Sequence, residues 1–507
     1  MKHFLTLIAI VLVSVSARTQ VNITFICSDA ITGQRMQDVS VTCGEQFGIT
    51  NARGTTELQV TAGEYRVHFS FLGYQELEID LNLTTDQKVK VSLEPSTHVL
   101  TEFELTGTRD QHMGIRNLRD VEGSGIYSGK KTELIRMDRI QGNKALNNAR
   151  QIYSRVAGLN IWESDAGGLQ LGIGGRGLSP NRTSNFNTRQ NGYDIAADAL
   201  GYPESYYTPP SEAVKEIQVV RGAASLQYGP QFGGMVNFNL NKPPVTERFE
   251  FISRQTGGSW NLFNTFNSIG GSVKRWSYYA FYHRKTGDGW RENSGFENQT
   301  AYGHLSFRPT KNTNIAAEFT RYTYLAQQPG GLTDQQFEDD PRVSYRDRNW
   351  FRIEWNIASL QFQAKLSNNT NLESRFFGLL ASRESLGYLG AINRFDPGEE
   401  RDLIYSQFLN WGNESRLLHR FKTGKVHQTL LTGIRFYQGH TENRQGVAPA
   451  GDDANFVFQN TDVLQSDHTF PSTNVSVFAE DLIRINHRLS VTPGARFEYI
   501  QTRSSGT

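Results

Sequence analysis

The chain has almost no charge bias, few cysteines and no long apolar run beyond its first residues, and each shortage removes a class of protein. Lysine and arginine number 52 against 51 aspartates and glutamates, a net charge of +1, where a nucleic-acid scaffold would carry a basic excess. No stretch after the N-terminus reaches the ~18 consecutive apolar residues of a spanning helix. The 11 histidines are scattered, with no pair at metal-ligand spacing and no His-Glu-x-x-His helix, so no metal site is expected. A P-loop and a nucleophile elbow are also missing. The residues form no catalytic constellation, and the expectation is a protein that is not an enzyme and has no cofactor. The two cysteines, Cys27 and Cys43, fall at the ends of inward strand faces. A disulfide and a pair of small buried thiols are equally compatible with that pattern.

What is present is a succession of β patterns behind an export signal. Lys2 and His3 precede an apolar run from Phe4 to Val15, and Ser16-Ala17-Arg18-Thr19 is a small, polar exit. Residues 1–19 therefore read as a secretory signal peptide, too short to span as a helix. Residues 20–95 alternate with period two between turn residues, as a small antiparallel β-sandwich would. Residues 96–114 form a linker holding one strand-like segment, Val99-Leu100-Thr101-Glu102-Phe103-Glu104-Leu105-Thr106. In residues 115–244, Leu146, Ala149, Ile152, Tyr153 and Val156 share a helix face that Gly158 would end. Gly172, Gly174 and Gly177 satisfy a dinucleotide fingerprint literally, but Pro180 and the polar run after it open no helix to hold a pyrophosphate. From 245 to 507 amphipathic strands repeat. Ile315, Ala317 and Phe319 alternate with Glu318 and Thr320, and Leu360, Phe362 and Leu366 alternate with Gln361 and Lys365. Pattern alone allows a soluble sandwich or a membrane barrel, and long polar connections such as Gln327 to Arg348 count against the sandwich.

One stretch carries a resemblance. Between Glu216 and Pro244, Arg221-Gly222, Ser225, Tyr228-Gly229, Gly234 and Asn237 fall as at the end of the plug domain of TonB-dependent outer-membrane receptors. The run YGPQFGGMVNF is similar to receptors of the ferric-dicitrate type. Asp29 to Gly33, Ala62 to Tyr65 and Phe71 to Tyr74 resemble the carboxypeptidase-regulatory-like domain that often precedes the plug in Bacteroidetes-type receptors. The implied architecture is mainly β: an N-terminal β-sandwich, an α+β plug at 115–244 and a transmembrane antiparallel β-barrel from 245, twenty-two-stranded in the family. Allowing roughly 20–25 residues per strand and connection, 245–507 supplies about ten to thirteen strands, so the barrel is expected to be incomplete here.

The resemblance also implies a function and its parts. The chain would import a scarce ligand actively across the outer membrane of a Gram-negative bacterium, with outer-membrane lipid around it and no nucleic-acid partner. Val99 to Thr106 sits where the family carries its TonB box, an extended peptide that adds to a sheet edge of TonB and so reaches the inner-membrane energising complex. In and just before the polar loop Ser179 to Tyr207, Arg176, Arg182 and Arg189 supply positive charge beside Tyr193, Tyr202, Tyr206 and Tyr207. Arginine forks suit carboxylates or a chelated anion, so a ferric chelate of citrate or of a carboxylate siderophore is the expected ligand. Cobalamin, another metal chelate or a glycan, or a passive or adhesive outer-membrane β-protein, are the alternatives.

Overall fold

The computed structural model describes residues 20–94 apart from 31, 32, 45, 72, 73 and 75, and residues 114–507 apart from 164, 166, 169, 176, 222–225, 230–232, 245, 425, 487 and 488. The signal-peptide pattern, the segment Val99 to Thr106, Arg176, Gly222 and Ser225 lie outside the described residues. The chain divides into two compact units, Met1–Leu105 and Thr106–Thr507.

In the first unit, strands Gln20–Asp29, Thr55–Thr61 and Gln87–Leu93 form one sheet. Ser40–Cys43, Gln46–Ile49, Gly63–Ser70 and Leu77–Leu83 form the other. The period-two pattern buries Val21, Ile23, Phe25 and Cys27 against Val41, Cys43, Val67 and Phe69, with the Phe25 and Phe69 rings edge-on at 5.4 Å. This is the expected sandwich with one correction: Gln20–Asp29 and Gln87–Leu93 run parallel. A parallel pair needs a long crossover, and the intervening strands supply it. Cys27 and Cys43 are buried free thiols, so the disulfide is not formed. Burial pushes the Cys27 thiol up to about 11.

The second unit is a small mixed domain and a large antiparallel sheet. The small domain has a six-stranded sheet in the order Tyr193–Asp194, Phe186–Gln190, Gly234–Leu240, Val214–Arg221, Lys131–Arg136, Ile115–Arg116. Its helix is shorter than the apolar pattern, Ala149–Tyr153, capped by Asn148 accepting the Gln151 N–H at 2.9 Å. Leu146 lies before the helix, while Ala149, Ile152, Tyr153 and Val156 are buried. Gly158 follows with φ +82, a left-handed residue that stops a helix. Gly172–Gly174 is a strand paired with Asn160–Trp162, and among the described residues only the short 3-10 turn Asn181–Thr183 follows it, in line with rejection of the dinucleotide reading.

The large sheet has 13 strands, all antiparallel from Glu250 onward. Its last three short strands, Ser490–Val491, Gly494–Thr502 and Ser505–Gly506, all pair with Ser466–Arg484 as pieces of one interrupted edge. Ten strands precede that edge, within the expected range. Tight turns at 274–275, 311–312 and 368–369 define one end of the wall. Connections 288–295, 328–349, 388–400 and 449–465 define the other.

Side-chain parity on this wall decides between sandwich and barrel. The alternating apolar residues are the exposed ones: Phe319 is 51% exposed, Leu360 51%, Leu409 52% and Phe497 72%. Their neighbours Glu318, Thr320, Tyr322 and Trp355 are buried against the small domain. A soluble sandwich would bury the first set, whereas a lipid-facing wall around a filled interior exposes it. The aromatic cluster from Trp276 to Tyr282 splits accordingly. Trp276 and Tyr282 face out, while Tyr279 and Phe281 turn inward onto the core, so only half of it can serve as an interfacial girdle.

Candidate ligand site at the long-connection end

The motif that organises the small domain is held by specific geometry. Gly234 has φ +113 and lies on the Val220 carbonyl, leaving no room for a Cβ. Asn237 Oδ1 accepts the Gly192 N–H at 2.8 Å, and its Nδ2 donates to Gln218 Oε1 at 3.1 Å and Asn239 Oδ1 at 2.8 Å. Arg221 pairs with Glu133 and donates to the Ala157 carbonyl. Tyr228 is buried, its ring between the Arg189 guanidinium at 5.0 Å and that of Arg416 at 4.9 Å, and its hydroxyl meets that of Tyr127. These residues shape the domain.

Arg189 and Tyr193, expected among outward-facing ligand contacts, turn to the wall instead. Arg189 is 1% exposed. Its Nη1 donates to the Gly192 carbonyl at 2.8 Å, Nη2 to Glu414 Oε2 at 3.2 Å and to the Tyr228 carbonyl at 3.3 Å, and Nε to Asn187. A guanidinium with its fork spent on protein partners has no face left for a ligand. The Tyr193 hydroxyl donates to Glu318 Oε2 at 2.9 Å and accepts from Gln190 Nε2 at 2.6 Å, and burial raises its ionisation well above the usual range. Both residues tie the small domain to the wall. The physical reason is that the polar loop 179–207 is packed inside the sheet rather than solvated.

Arg182 stands where a ligand could meet it. It is part of the turn Asn181–Thr183 with φ +46. Its Nη1 donates to Glu204 Oε2 at 2.9 Å, and its guanidinium lies 5.3 Å from the centre of the Tyr206 ring. Tyr202 and Tyr206 stack at 6.2 Å with their hydroxyls 2.7 Å apart, and Tyr206 donates to Glu204 at 2.6 Å. The wall completes the cluster with Phe351, Trp355, Phe408 and Arg383. Arg383 lies 6.0 Å from the Tyr206 ring and 5.5 Å from the Phe351 ring, and among the described residues its buried Nε has no protein partner.

The charge of this cluster is unbalanced. Two guanidiniums, Arg182 and Arg383, face one carboxylate, Glu204. Arg383 escaped the sequence reading because it belongs to a barrel strand. A signal was present: it shares the inward side of Thr370–Gly387 with Phe377, Leu379 and Ala381. Its cross-strand neighbours are Ile353 and Ser406, so the wall supplies it with no counter-charge. A cation so placed beside stacked phenols suits an anion that offers oxygens in a plane.

Two family models match the chain: the TonB-dependent Receptor Plug Domain over residues 128–236, and the TonB dependent receptor-like beta-barrel over residues 289–507. Among solved structures, the ferric citrate transporter FecA in its unliganded form is similar with a TM-score of 0.65 and 22% identity, covering 74% of this chain and 57% of that one. The ferric-catecholate import receptor Fiu of E. coli K12 in its open form gives 0.58 and 15%, covering 74% and 60%. The ferripyoverdine receptor of the outer membrane of Pseudomonas aeruginosa gives 0.61 and 13%, covering 75% and 52%. The chain thus spans between half and two thirds of the length of each. With plug and barrel both matched in sequence and in fold, the chain belongs to the TonB-dependent receptor family.

Proposed function

We propose that this chain is an active importer in the outer membrane of a Gram-negative bacterium, and that its ligand is an anionic metal chelate, a ferric complex of citrate or of a carboxylate siderophore. The carrying observation is the cluster Arg182–Glu204–Arg383 with Tyr202 and Tyr206, one positive charge in excess at the end with the long connections. In barrels of this kind short turns face the periplasm and long loops the exterior, and a cluster at the long-connection end fits capture of an arriving ligand. The exposed apolar wall fits outer-membrane lipid. Val99 to Thr106 is the segment we assign to TonB, and the first unit is read as the carboxypeptidase-regulatory-like domain.

A charge-assisted hydrogen bond is worth about 1.5–3 kcal/mol, so Arg383→Ala or Arg182→Ala should weaken ferric citrate binding roughly tenfold or more. Arg182→Ala also frees Glu204, which adds repulsion, so it should be the more damaging of the two. Titration of the chain in outer-membrane vesicles with ferric citrate tests this. Unchanged affinity in both variants, at unchanged surface level, rules out the anion site.

A further inference from the structure

The plug meets the barrel wall in two chemically different ways. Towards strands Arg401–Thr423, Val426–Ala448 and Ser466–Arg484 it is held by ion pairs. These are Arg189 with Glu414 at 3.2 Å, Lys130 with Glu480 at 2.6 Å, Asp120 with Arg484 at 2.9 Å, and Asp194 with Arg435. Towards strands Trp276–Gly287, Phe296–Thr310 and Thr313–Gln327 the ties among the described residues are mainly hydrogen bonds, and the charges of Asp165 and Glu212 on the plug also act on Lys285. Lys285 Nζ donates to the Leu146 carbonyl at 3.0 Å, Tyr193 donates to Glu318 at 2.9 Å, and Gln190 Nε2 donates to Thr320 Oγ1 at 3.0 Å.

Buried polar atoms without a protein partner lie on both walls, Asn410 Oδ1, Arg435 Nε, Thr441 Oγ1 and Asn474 Nδ2 on the first, and on the second they form a column facing the plug. Among the described residues, His283 Nδ1, Asn298 Oδ1, Thr300 Oγ1 and Tyr322 Oη on the wall, with Thr208 Oγ1 on the plug, have no protein partner. All five residues are at most 7% exposed. They are contiguous: His283 lies opposite Thr300, Thr300 opposite Tyr322, and Asn298 opposite Tyr324. The Tyr322 ring is 5.1 Å from that of Tyr207, the residue before Thr208. Buried polar groups are nearly always paired, so a connected set without partners calls for a physical cause. A cavity of about 460 Å³ stands at the long-connection end of the column, lined by Thr208, Phe296 and Tyr324, with Trp290 and Arg291 among its residues. Ring contacts from Tyr206 to Phe351 at 6.0 Å and from Phe351 to Tyr324 at 6.2 Å join the anion cluster to this cavity.

We propose that the ligand passes the plug along this seam. The cavity is its entrance, and the column of hydroxyl, amide and imidazole groups is its polar face. The ion-paired wall keeps its hold on the plug and acts as the hinge. A hydrophilic chelate rich in oxygen atoms can supply each column group with a partner in turn, which an apolar solute cannot. This proposal rests on the importer reading.

The test tethers each wall in turn in the full chain, in cells. Gln190→Cys/Thr320→Cys places a thiol pair across the seam, and Asp198→Cys/Ser472→Cys places one across the ion-paired wall, where the native oxygens are 3.4 Å apart. Each pair is bridged with a short bifunctional thiol reagent, with buried Cys27 and Cys43 as the unreactive background. Uptake of radiolabelled ferric citrate should stop with the seam bridged and stay at the parental level with the other wall bridged. The reverse result, loss in both or loss in neither overturns the route. A second readout needs no transport: Thr300→Cys should react with a small water-soluble thiosulfonate added to de-energised membranes. Labelling no faster than Cys27 overturns the seam. If the unbridged parent takes up no ferric citrate while Thr300→Cys is labelled, the importer reading fails and the seam stands.

Discussion

Replacing Glu414 should loosen the plug more than replacing Arg189, although the two form one ion pair. Glu414 lies 3.2 Å from Arg189, 2.6 Å from Arg416 and 4.0 Å from Arg435, and Asp194 lies 3.5 Å from Arg189 and pairs with Arg435. Three guanidiniums thus share two buried carboxylates. Arg189→Met leaves two of each, so the loss is that of its charge-assisted hydrogen bonds, about 2–3 kcal/mol. Glu414→Gln leaves three buried guanidiniums, Arg189, Arg416 and Arg435, with Asp194 as the one carboxylate of the network, about 3–5 kcal/mol. Hydrogen exchange of the plug strands Phe186–Gln190 and Gly234–Leu240, which pair in parallel, reads this opening. The gap between the variants corresponds to roughly a tenfold or larger difference in exchange rate. The double variant should exchange no faster than Glu414→Gln alone, because removing Arg189 relieves repulsion that the first change created. Equal rates in the two single variants, or a faster Arg189→Met, refute this account of the network. Once folded, Arg189→Met should bind ferric citrate with parental affinity, in contrast to Arg182→Ala.

Leu100→Pro should abolish energised uptake and leave ligand binding intact, since proline removes a backbone donor and fixes φ in a segment assigned to strand addition; normal uptake by that variant moves the coupling segment elsewhere. Stability of the first unit should fall as pH rises from 9.0 towards about 11, because the buried Cys27 thiol holds its proton in the folded state over that range while the unfolded chain releases it. Below that window the contribution is fully present. Hydrogen exchange in Gln20–Asp29 across this pH range checks the sign, and Cys27→Ala should flatten the profile.

Much of the fold was legible because it follows from period two. Every strand of the first unit sits on a stretch whose alternate residues are apolar, and Val21 to Cys27 bury the face that the alternation marks. The parallel pairing of Gln20–Asp29 with Gln87–Leu93 was not legible, since alternation fixes which face is buried and says nothing of strand direction. Helix length failed for a similar reason. Leu146 fits the apolar face, but Asn148 caps the helix two residues later, and a cap outweighs one matching position. On the barrel the alternation was read correctly and its meaning stayed open. Ile315 and Phe319 form the same row in a sandwich or a barrel, and only the contents of the other face tell them apart.

The site residues were the least legible, and the reason is specific to a filled barrel. Loop 179–207 is polar and arginine-rich, which in most proteins means solvent exposure. Here the opposite wall is polar too, so a polar loop can be buried wherever that wall offers a partner. Arg189 meets Glu414 and becomes a structural tie. Arg383, from the wall, meets Ile353, Ser406 and aromatic rings, and keeps its charge for something else. Neither outcome can be read from the arginine or from its neighbours in sequence. It depends on the residue across the gap, and the registers Gly378 opposite Trp411 and Arg375 opposite Glu414 place Glu414 on the stretch of wall that Arg189 reaches. Within this fold, an inward cation is therefore a candidate for ligand contact when the positions across from it are neutral, and a candidate for holding the plug when one of them is acidic.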